Sequence, residues 1–378
     1  MHIGIDARIL TLPELRGMAA YLMEILKAWP EQKDSFVLFT EKVPVPVHVD
    51  FTLQNHVQWQ AIPSPRGSRI HIWDWWALPR FLEQHSAMVD LFWSPANLTF
   101  PLKGLPQVVT IHDTLLQEKV KFKDLIEQAY YRYWVPAMTK LYAHGVITVS
   151  RFSAHRIKKI FHYPGTKTHV IPNGASFFHE PVNREKTDRV LARSGITPFS
   201  YVYALGAESP WKNTLGILKA FARVHTSIPK ISLVLSGVQE HFMARVRSEC
   251  QTLGLNRDDA VILLGYVDDM TRDSLYAGAA LFVYPSLFEG FGLPPLEAMS
   301  LGAPVVASHA ASIPEVVGRA ALLADASDPE SLGNAMLRVL RDKELRTDLM
   351  AKGRRHISRF QWKTAASKHR QIMAEMIK

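Results

Sequence analysis

The stretch "ALFVYPSLFEGFGLPPLEAMSLGAPVVAS", residues 280–308, joins two apolar runs through a loop rich in glycine and proline. The run at 281–285 has the length and composition of a buried strand, and a second strand is predicted at 304–308. Between them, Pro294 or Pro295 suits the first turn of a helix. Ligands of α/β folds bind at the carboxyl ends of strands, so the loop predicts both a parallel sheet and a binding site.

The same alternation of apolar runs and helical patterns fills both halves of the chain. Further strands are predicted at 3–5, 36–39, 89–93, 107–111 and 145–149, and then at 201–205, 231–236, 261–265 and 320–324. Ser150 is a suitable N-cap for a helix over 151–161. A polar stretch after residue 174 separates the two series. The pattern predicts two Rossmann-like α/β domains that face one another across a cleft.

Composition limits the class of protein. A chain of 378 residues exceeds one ordinary core, and its hydrophobic content of 47% is that of a globular protein. No apolar run approaches the ~20 residues of a membrane span. The first residues lack the pattern of a signal peptide. Cys250 is the only cysteine, which excludes a disulfide framework within one chain. We expect a cytoplasmic protein.

The net charge of +9 is compatible with nucleic acid, an anionic membrane surface or a phosphorylated ligand. The 44 basic residues are scattered along the sequence, and their densest short groups lie at 156–159 and 352–355. Zinc-finger spacing, an RNA-recognition aromatic motif and a long basic arm are all missing from the sequence. The charge therefore favours a phosphate ligand or a membrane surface, and no nucleic-acid partner is predicted.

The loop at 289–297 has the chemistry of a nucleotide-sugar site. Gly290 and Gly292 let backbone amides approach a ligand, and a helix N-terminus attracts phosphate. Glu289 and Glu297 can accept hydrogen bonds from the hydroxyls of a sugar and a ribose. The alternative is an ordinary βα loop with surface glutamates. The glycine spacing does not match the dinucleotide-binding fingerprint.

"EGFGLPPLE", residues 289–297, resembles the E-x7-E signature of the retaining glycosyltransferases of family 4, which have the GT-B fold. Stretches that resemble the family in the same order are "IGIDAR", "VVTIHD", "GVITVSRFS", "VIPNGAS", "PWKN", "LLGYV" and "IPEVVGRAALL". The resemblance implies an acceptor-binding domain over 1–178 and a nucleotide-sugar-binding domain over 179–362. It also implies a C-terminal helix, 363–378, that crosses back to the first domain.

The resemblance assigns roles to the loop. Glu289 would hold hydroxyls of the donor sugar, and Glu297 would hold the ribose. The backbone amides of Phe291, Gly292 and Leu293 would face the sugar and the diphosphate.

The resemblance also implies a cationic site for the diphosphate. Lys212 in "PWKN" matches the lysine that pairs with it, although a solvated lysine at a helix start is the alternative. Many relatives carry an arginine near this strand, where the present chain has Ala207 and Glu208. Arg16, beside Gly17 in the first βα loop, is a candidate for the missing cation.

Two further residues are implied for the first domain. His112 in "TIHD" would contact the transferred sugar near the reacting carbon, although a lone histidine is more often structural. Asn173 in "IPNG" resembles a motif on the hinge side, and an ordinary turn is the alternative.

Metal and aromatic patterns give weaker signals. "VDD" at 267–269 resembles an acidic metal motif but has the pattern of a loop or helix cap, so we predict no metal and no cofactor.

Seven of the nine tryptophans precede residue 140, three of them in "IWDWWALPRF" at 72–81. Such rings stack on sugars or lie at membrane interfaces, and core packing is expected to explain most of them.

These patterns lead to one expectation. The protein transfers a hexose, from UDP-glucose in the first instance and GDP-mannose in the second, to a hydroxyl of a saccharide or lipid-linked saccharide acceptor. The closest branch builds bacterial surface and envelope polysaccharides, which favours a position at the inner face of the membrane. The alternatives are an epimerase of nucleotide sugars with the same fold and a non-catalytic nucleotide-sugar-binding module.

Overall fold

The chain forms two units in a computed structural model. The structure describes residues 1–11, 17–30, 33–42, 57–63, 72–120, 122, 124–175, 183–255 and 260–377. Unit 1 comprises Met1–Gly174 and Phe360–Lys378, and unit 2 comprises Ala175–Arg359. The sequence had suggested boundaries after residues 178 and 362.

Unit 1 is built on a parallel sheet of seven strands within its described residues. These strands are β1 (His2–Asp6), β2 (Ser35–Thr40), β3 (Val57–Ala61), β4 (Leu91–Ser94), β5 (Gln107–Ile111), β6 (Gly145–Thr148) and β7 (Thr168–Val170). Their order in the sheet is β3-β2-β1-β4-β5-β6-β7. In the register, Gly4 of β1 pairs with Val37 on one side and Phe92 on the other. The central strands are buried apart from His2 at the start of β1, as continuous apolar runs predict for a parallel sheet.

Helices cover this sheet. They are α1 (Met18–Lys27), α2 (Leu78–Gln84), α3 (Leu115–Glu118), α4 (Leu125–Ala129), α5 (Val135–Tyr142) and α6 (Arg151–Ile160). Wide π-helical turns at Trp73–Ala77 and Tyr130–Trp134 lead into α2 and α5. Short 3-10 turns lie at Arg8–Thr11, Ser86–Met88 and Gly165–Lys167. The predicted N-cap of α6 is confirmed, because the Ser150 hydroxyl oxygen accepts the Ser153 amide at 3.0 Å.

Unit 2 repeats the architecture with six parallel strands among its described residues. They are β8 (Tyr201–Leu205), β9 (Ser232–Ser236), β10 (Val261–Leu263), β11 (Leu281–Tyr284), β12 (Val305–Ser308) and β13 (Leu322–Ala324). The order β10-β9-β8-β11-β12-β13 is that of a Rossmann sheet. The direction of the strand order reverses between β8 and β11, and ligands of such sheets bind at this switch point.

The helices of unit 2 alternate with its strands. They are α7 (Arg184–Arg193), α8 (Thr214–Ser227), α9 (Glu240–Thr252), α10 (Asp269–Ala277), α11 (Leu293–Ser300), α12 (Ile313–Val317), α13 (Pro329–Arg341) and α14 (Lys343–His356). Short 3-10 turns lie at Pro210–Lys212 and Ile357–Arg359. The two units confirm the predicted pair of Rossmann-like domains.

The last helix, α15 (Trp362–Met376), belongs to unit 1 although unit 2 precedes it in the chain. Its buried face consists of Ala365, Ala366, His369, Ile372 and Met373, which join the core around α1 and β1. The predicted return of the C-terminal helix to the first domain is confirmed.

A close approach fixes the start of α15. A Cβ atom on Gly174 would lie only 2.4 Å from the backbone nitrogen of Trp362, so this contact requires glycine.

Within the described ranges, no helix combines the length and the apolarity needed to cross a bilayer.

Candidate functional site

Two predicted site residues of unit 2 meet at the switch point of its sheet. Lys212 lies in the turn after β8, and Glu289 lies in the loop after β11. The Nζ atom of Lys212 and the Oε1 atom of Glu289 are 2.6 Å apart. Their side chains keep 33% and 15% of their surface exposed, so both are within reach of a ligand. The sequence predicted both residues but did not predict that they pair with each other.

Tyr284, the last residue of β11, lies beside this ion pair and contacts Lys212. The Nζ atom of Lys212 lies 3.5 Å from its hydroxyl and 5.7 Å from the centre of its ring. Burial raises the pKa of Tyr284 well above its ordinary value, and the neighbouring carboxylate of Glu289 raises it further. The hydroxyl therefore stays protonated and supplies a neutral hydrogen-bonding group beside the two charges.

The glycine-rich loop is held from behind by Ser312. The hydroxyl of this buried residue lies 2.9 Å from the carbonyl oxygens of both Glu289 and Phe291, which share its single proton. Gly292 has a φ of +96°, which favours glycine, and α11 begins at the next residue. The loop is therefore fixed in a conformation that directs the chain into the helix.

The start of α11 is suited to an anion. Pro294 and Pro295 lie in the first turn, which confirms the predicted helix start. Because prolines have no amide hydrogen, the donors at this helix entrance are the amides that precede them, Gly292 and Leu293 among them. The partial positive charge of a helix N-terminus adds to their effect.

A second set of contacts fixes the loop that carries Lys212. Asn213 has a φ of +59°, and its Nδ2 atom donates to the carbonyl oxygens of Ala326 at 2.7 Å and Pro285 at 3.3 Å. The hydroxyl of Thr214 donates to the carbonyl of Ala207 at 2.6 Å and accepts its amide at 2.8 Å. The turn after β8 is thereby tied to the loop after β11. The "PWKN" resemblance pointed at this segment, but these contacts follow only from the fold.

Glu297 lies one turn into α11, partly shielded from solvent. The hydroxyl of Tyr276 donates to its Oε2 atom at 3.1 Å. Burial raises the pKa of the Glu297 carboxyl, and the nearby guanidinium of Arg272 partly offsets that effect. Arg272 could not be predicted from the sequence, because its nearness to Glu297 depends on how α10 packs.

The acidic residues of "VDD" have partners within α10. Asp268 caps this helix by accepting the amide of Thr271 at 2.7 Å. Asp269 forms an ion pair with Arg272 at 2.7 Å. In the part of the chain that the structure describes, no group of three histidine, cysteine or carboxylate side chains is placed to hold a metal ion.

Where many relatives of the family carry an arginine, this chain has Ala207 and Glu208. Glu208 is exposed, and its Oε2 atom lies 2.8 Å from the Nε2 atom of His241. Arg16, the candidate for the missing cation, lies outside the described residues. Its neighbour Gly17 precedes α1 with a φ of +53°, and no atom of the described residues lies within 4 Å of where a Cβ atom would be.

His112 directly follows β5 in unit 1. Its amide donates to the Oδ1 atom of Asn97 at 2.7 Å, and its Nε2 atom donates to the carbonyl oxygen of Pro95 at 2.8 Å. A carbonyl only accepts, so the ring proton is on Nε2 and the Nδ1 atom is an acceptor. Burial lowers the pKa of His112 to about 4, so the ring is neutral at pH 7.

An aromatic column connects His112 with the C-terminal helix. The ring of Tyr21 on α1 meets that of His112 edge-on, with centres 4.6 Å apart. The Nδ1 atom of His369 on α15 donates to the carbonyl of Ala365 at 2.8 Å. Its Nε2 atom therefore accepts the Tyr21 hydroxyl, at 2.5 Å. Burial also lowers the pKa of His369 to about 4.

Asn173 completes the predicted set. It is 6% exposed in unit 1, and its Oδ1 atom has no hydrogen-bond partner within the described residues. The structure thus gathers Lys212, Glu289, Phe291, Gly292, Leu293 and Glu297 in unit 2. It assigns Gly17, His112 and Asn173 to unit 1.

Comparison with protein families assigns each unit to one domain type. The family model described as Glycosyltransferase Family 4 matches residues 15–176. The model described as Glycosyl transferases group 1 matches residues 192–356. The two matches correspond closely to the two units of the structure.

Characterised relatives share part of the chain. An O-antigen chain mannosyltransferase B of Escherichia coli is 34% identical over 59% of this chain and 58% of its own length. An MMP alpha-(1->4)-mannosyltransferase of Mycolicibacterium hassiacum is 29% identical over 70% of this chain and 64% of its own length. The chain therefore spans less than two thirds of these relatives.

Solved structures share the whole fold. The Anabaena protein Alr3699/HepE, solved in complex with UDP and glucose, has a TM-score of 0.76 at 20% identity, over 99% of each chain. WaaG, a glycosyltransferase involved in lipopolysaccharide biosynthesis, has a TM-score of 0.73 at 14% identity, again over 99% of each chain. The chain thus has the GT-B fold, and its two units match the glycosyltransferase family 4 and group 1 domain models.

Proposed function

We propose that the protein is a retaining glycosyltransferase that moves a hexose from a nucleotide diphosphate sugar to a hydroxyl of a saccharide or lipid-linked acceptor. The observation that carries the proposal is the pairing of Lys212 with Glu289 beside the open start of α11. A cation, a carboxylate and backbone amides at one switch point match the phosphate and hydroxyl groups of such a donor. Unit 2 would bind the donor, and unit 1 would bind the acceptor.

The donor would occupy unit 2 in a defined orientation. Its diphosphate would lie against Lys212 and the amides of Phe291, Gly292 and Leu293. Glu289 would accept hydrogen bonds from the sugar hydroxyls, and Glu297 would accept them from the ribose. The two glutamates thus mark the two ends of the bound donor.

The same groups would stabilise the leaving group. The bond between the anomeric carbon and the diphosphate oxygen breaks, and negative charge builds on that oxygen. Once the diphosphate has competed with Glu289 for Lys212, this lysine, the loop amides and the dipole of α11 would direct positive charge at this position. The acceptor oxygen bonds to the same face of the anomeric carbon, and a phosphate oxygen takes its proton. No protein base is assigned.

His112 would contact the transferred sugar near the reacting carbon. Its unprotonated Nδ1 atom can accept a hydrogen bond from a sugar hydroxyl. Because Pro95 fixes the proton on Nε2, this capacity does not change near neutral pH. Gly17 and Asn173 are proposed to contact the donor from unit 1, together with Arg16.

Mannose is the hexose that the relatives favour. The Escherichia coli and Mycolicibacterium hassiacum proteins are both named as mannosyltransferases. The Anabaena protein, at lower identity, has been solved with UDP-glucose. We therefore place GDP-mannose ahead of UDP-glucose, which reverses the order expected from the sequence. Surface-polysaccharide synthesis at the inner membrane face is the proposed setting, with peripheral attachment to the bilayer.

An acceptor-dependence assay tests this function. The protein is incubated with GDP-mannose or UDP-glucose, with and without a panel of mannosides and glucosides, and the anomeric protons are followed by NMR. We expect donor consumption that requires an acceptor, a product with the configuration of the donor, and activity that survives EDTA. Sugar interconversion without an acceptor would indicate an epimerase. Binding without turnover of any donor would indicate a non-catalytic module.

A further inference from the structure

Exposed apolar side chains are concentrated on one part of unit 1. Eight of the fifteen large hydrophobic residues that are exposed in the described structure lie between residues 72 and 141. We name this set the aromatic surface, and its members are Ile72, Trp75, Trp76, Leu125, Ile126, Tyr133, Trp134 and Leu141. The most exposed are Leu125 at 78%, Leu141 at 68% and Tyr133 at 67%. Clustered exposed apolar groups of this kind mark interaction sites.

Contacts between side chains join the two segments of the aromatic surface. The rings of Trp75 and Trp134 lie 4.8 Å apart, so the turn before α2 meets the turn before α5. The guanidinium carbon of Arg80 lies 5.6 Å from the ring centre of Trp76. Trp75, Trp76 and Trp134 are thus exposed, whereas Trp73 and Trp93 are fully buried.

The positive charge of the chain is concentrated in the same region. Residues 119–167 contain ten lysines and arginines against two acidic residues, a formal charge of +8 in a chain whose total is +9. Most of the 44 basic residues lie elsewhere in the chain, where acidic residues offset them, so it is the net charge that is uneven along the sequence. Helix α6, which lies in this segment, contains no acidic residue and exposes Lys158 and Lys159.

A basic groove borders the aromatic surface. It is lined by Arg132, Tyr133, Lys140, Arg156 and His162, among other residues of α3, α5 and α6. Arg156 is already paired with the carboxylate of Glu118. Arg132 and Lys140 are exposed, and they flank Tyr133 and Leu141 in sequence. The groove thus sets cations directly beside apolar side chains.

We propose that the aromatic surface and this basic groove bind the surface of an anionic lipid bilayer. Tryptophan and tyrosine prefer the interface between headgroups and acyl chains, and lysine and arginine add roughly 1 kcal/mol each near anionic lipid. Leu125, Ile126 and Leu141 supply the apolar area that enters the interface. The inference rests on the proposed membrane association and names the surface responsible for it.

The chemistry of the surface separates a bilayer from other occupants. A nucleic acid would use the aromatic rings for stacking, but it offers nothing to exposed leucine and isoleucine side chains. A second copy of the chain would bring two segments of charge +8 together, which repel. An anionic bilayer satisfies both the charge and the aliphatic groups.

Vesicle binding by the full chain tests the proposal without donor or acceptor, so its result is independent of glycosyl transfer. Co-sedimentation is measured with vesicles of phosphatidylcholine and with vesicles that also contain phosphatidylglycerol. We expect binding to the anionic vesicles, a blue shift of tryptophan emission on binding, and weakening by salt. Arg132→Glu with Lys140→Glu should lower the partition coefficient by roughly tenfold or more.

Matched controls distinguish this surface from charge and exposure in general. Lys230→Glu with Lys343→Glu makes the same charge change at exposed positions of unit 2 and should bind nearly as the wild type does. Tyr133→Ser should weaken binding, whereas Phe199→Ser, at a residue of unit 2 that is 63% exposed, should not. Circular dichroism confirms that each variant is folded.

Three results would overturn the proposal. One is a wild-type protein that does not bind the anionic vesicles. Another is equal loss in both charge variants, which would indicate net charge rather than this surface. The third is a concentration-dependent dimer that Tyr133→Ser abolishes while vesicle binding is unchanged, which would assign the surface to a second copy of the chain.

Discussion

Lys212 and Glu289 neutralise one another before any donor is present. A bound diphosphate would compete with Glu289 for the lysine, and the glutamate would place negative charge near that diphosphate. Glu289→Gln should therefore leave nucleoside diphosphate affinity unchanged or stronger. Sugar transfer should fall by well over tenfold, since hydrogen bonds to charged groups contribute about 1.5–3 kcal/mol. Calorimetry with the nucleoside diphosphate and single-turnover kinetics measure the two effects.

Lys212→Met should differ from Glu289→Gln in its diphosphate affinity. In this variant both the diphosphate affinity and the rate of transfer should fall. The exposed carboxylate of Glu208 serves as the control, and Glu208→Gln should change neither quantity appreciably. Unchanged turnover in folded Glu289→Gln would exclude the sugar-binding role. A parallel loss of diphosphate affinity in Glu289→Gln would show that the ion pair only orders the loop.

Glu297 is proposed to bind the donor, and its burial should destabilise the free protein. Burial raises the pKa of its carboxyl, so the folded state binds this proton more tightly than the unfolded state. Stability is therefore lost as pH rises above the ordinary value of 4.5. Glu297→Gln should raise the melting temperature at pH 7, because it removes a carboxylate that burial disfavours. Donor affinity should fall, because ribose hydroxyls lose a charged acceptor.

The comparison at pH 4 is the control for this substitution. There the native carboxyl is largely protonated, so Glu297→Gln and wild type should melt at similar temperatures. A melting temperature that decreases at pH 7 would show that Tyr276 and Arg272 stabilise the charged form more than burial disfavours it.

At the scale of secondary structure, the sequence predicted the buried strands and missed strands at an edge. All eleven predicted strands are confirmed, whereas β3 and β7 had not been predicted. These two are the edge strands of the sheet in unit 1. An edge strand is half exposed, so "VQWQA" and "THV" lack the continuous apolar run that identifies a central strand.

The sequence predicted site residues individually, but not their contacts. Lys212 and Glu289 are 77 residues apart, so their pairing follows only from adjacent strands β8 and β11. Ser312 and Arg272 act on the loop and on Glu297 from other elements, and no local pattern marks them. Motif spacing identifies residues that follow strands, whereas the groups that orient them depend on packing.

Helix α15 also ties the stability of unit 1 to pH. His112 and His369 keep pKa values of about 4, below the ordinary 6.5, because burial disfavours their charged forms. The unfolded chain binds these protons first, so stability falls as pH falls from about 6.5 to about 4. Each histidine contributes up to about 1.4 kcal/mol per pH unit in this window. We expect His369→Gln to reduce this slope by about that amount.

Tryptophan fluorescence during urea unfolding at several pH values measures this slope. Seven of the nine tryptophans precede residue 140, so the signal reports mainly on unit 1. His241→Gln, at an exposed histidine of unit 2, is the control and should leave the slope unchanged. Equal slopes in wild type and His369→Gln would show that His369 does not titrate in this range.

At the scale of the whole chain, the distribution of residues is more informative than their totals. A net charge of +9 alone left three classes of partner open, whereas the count within residues 119–167, +8, assigns most of that net charge to one segment. Four of the seven early tryptophans pack in or against the core, as expected, and the other three are exposed together. Composition could not separate these groups, because exposure depends on which face of each helix meets the sheet.

Unit 1 is discontinuous in sequence, so its stability should depend on residues that follow unit 2. Deletion of residues 363–378 removes the buried side chains of Ala366, His369, Ile372 and Met373 from the core around α1. Truncating one buried isoleucine or methionine to alanine costs about 2–5 kcal/mol, so losing the whole helix should exceed that. We expect faster amide hydrogen exchange across β1, β5 and β6, with little change in the strands of unit 2. Removing only residues 377–378, beyond the end of α15, is the matched control and should leave exchange unchanged. Unaltered protection of residues 1–170 in the larger deletion would show that unit 1 folds independently of its C-terminal helix.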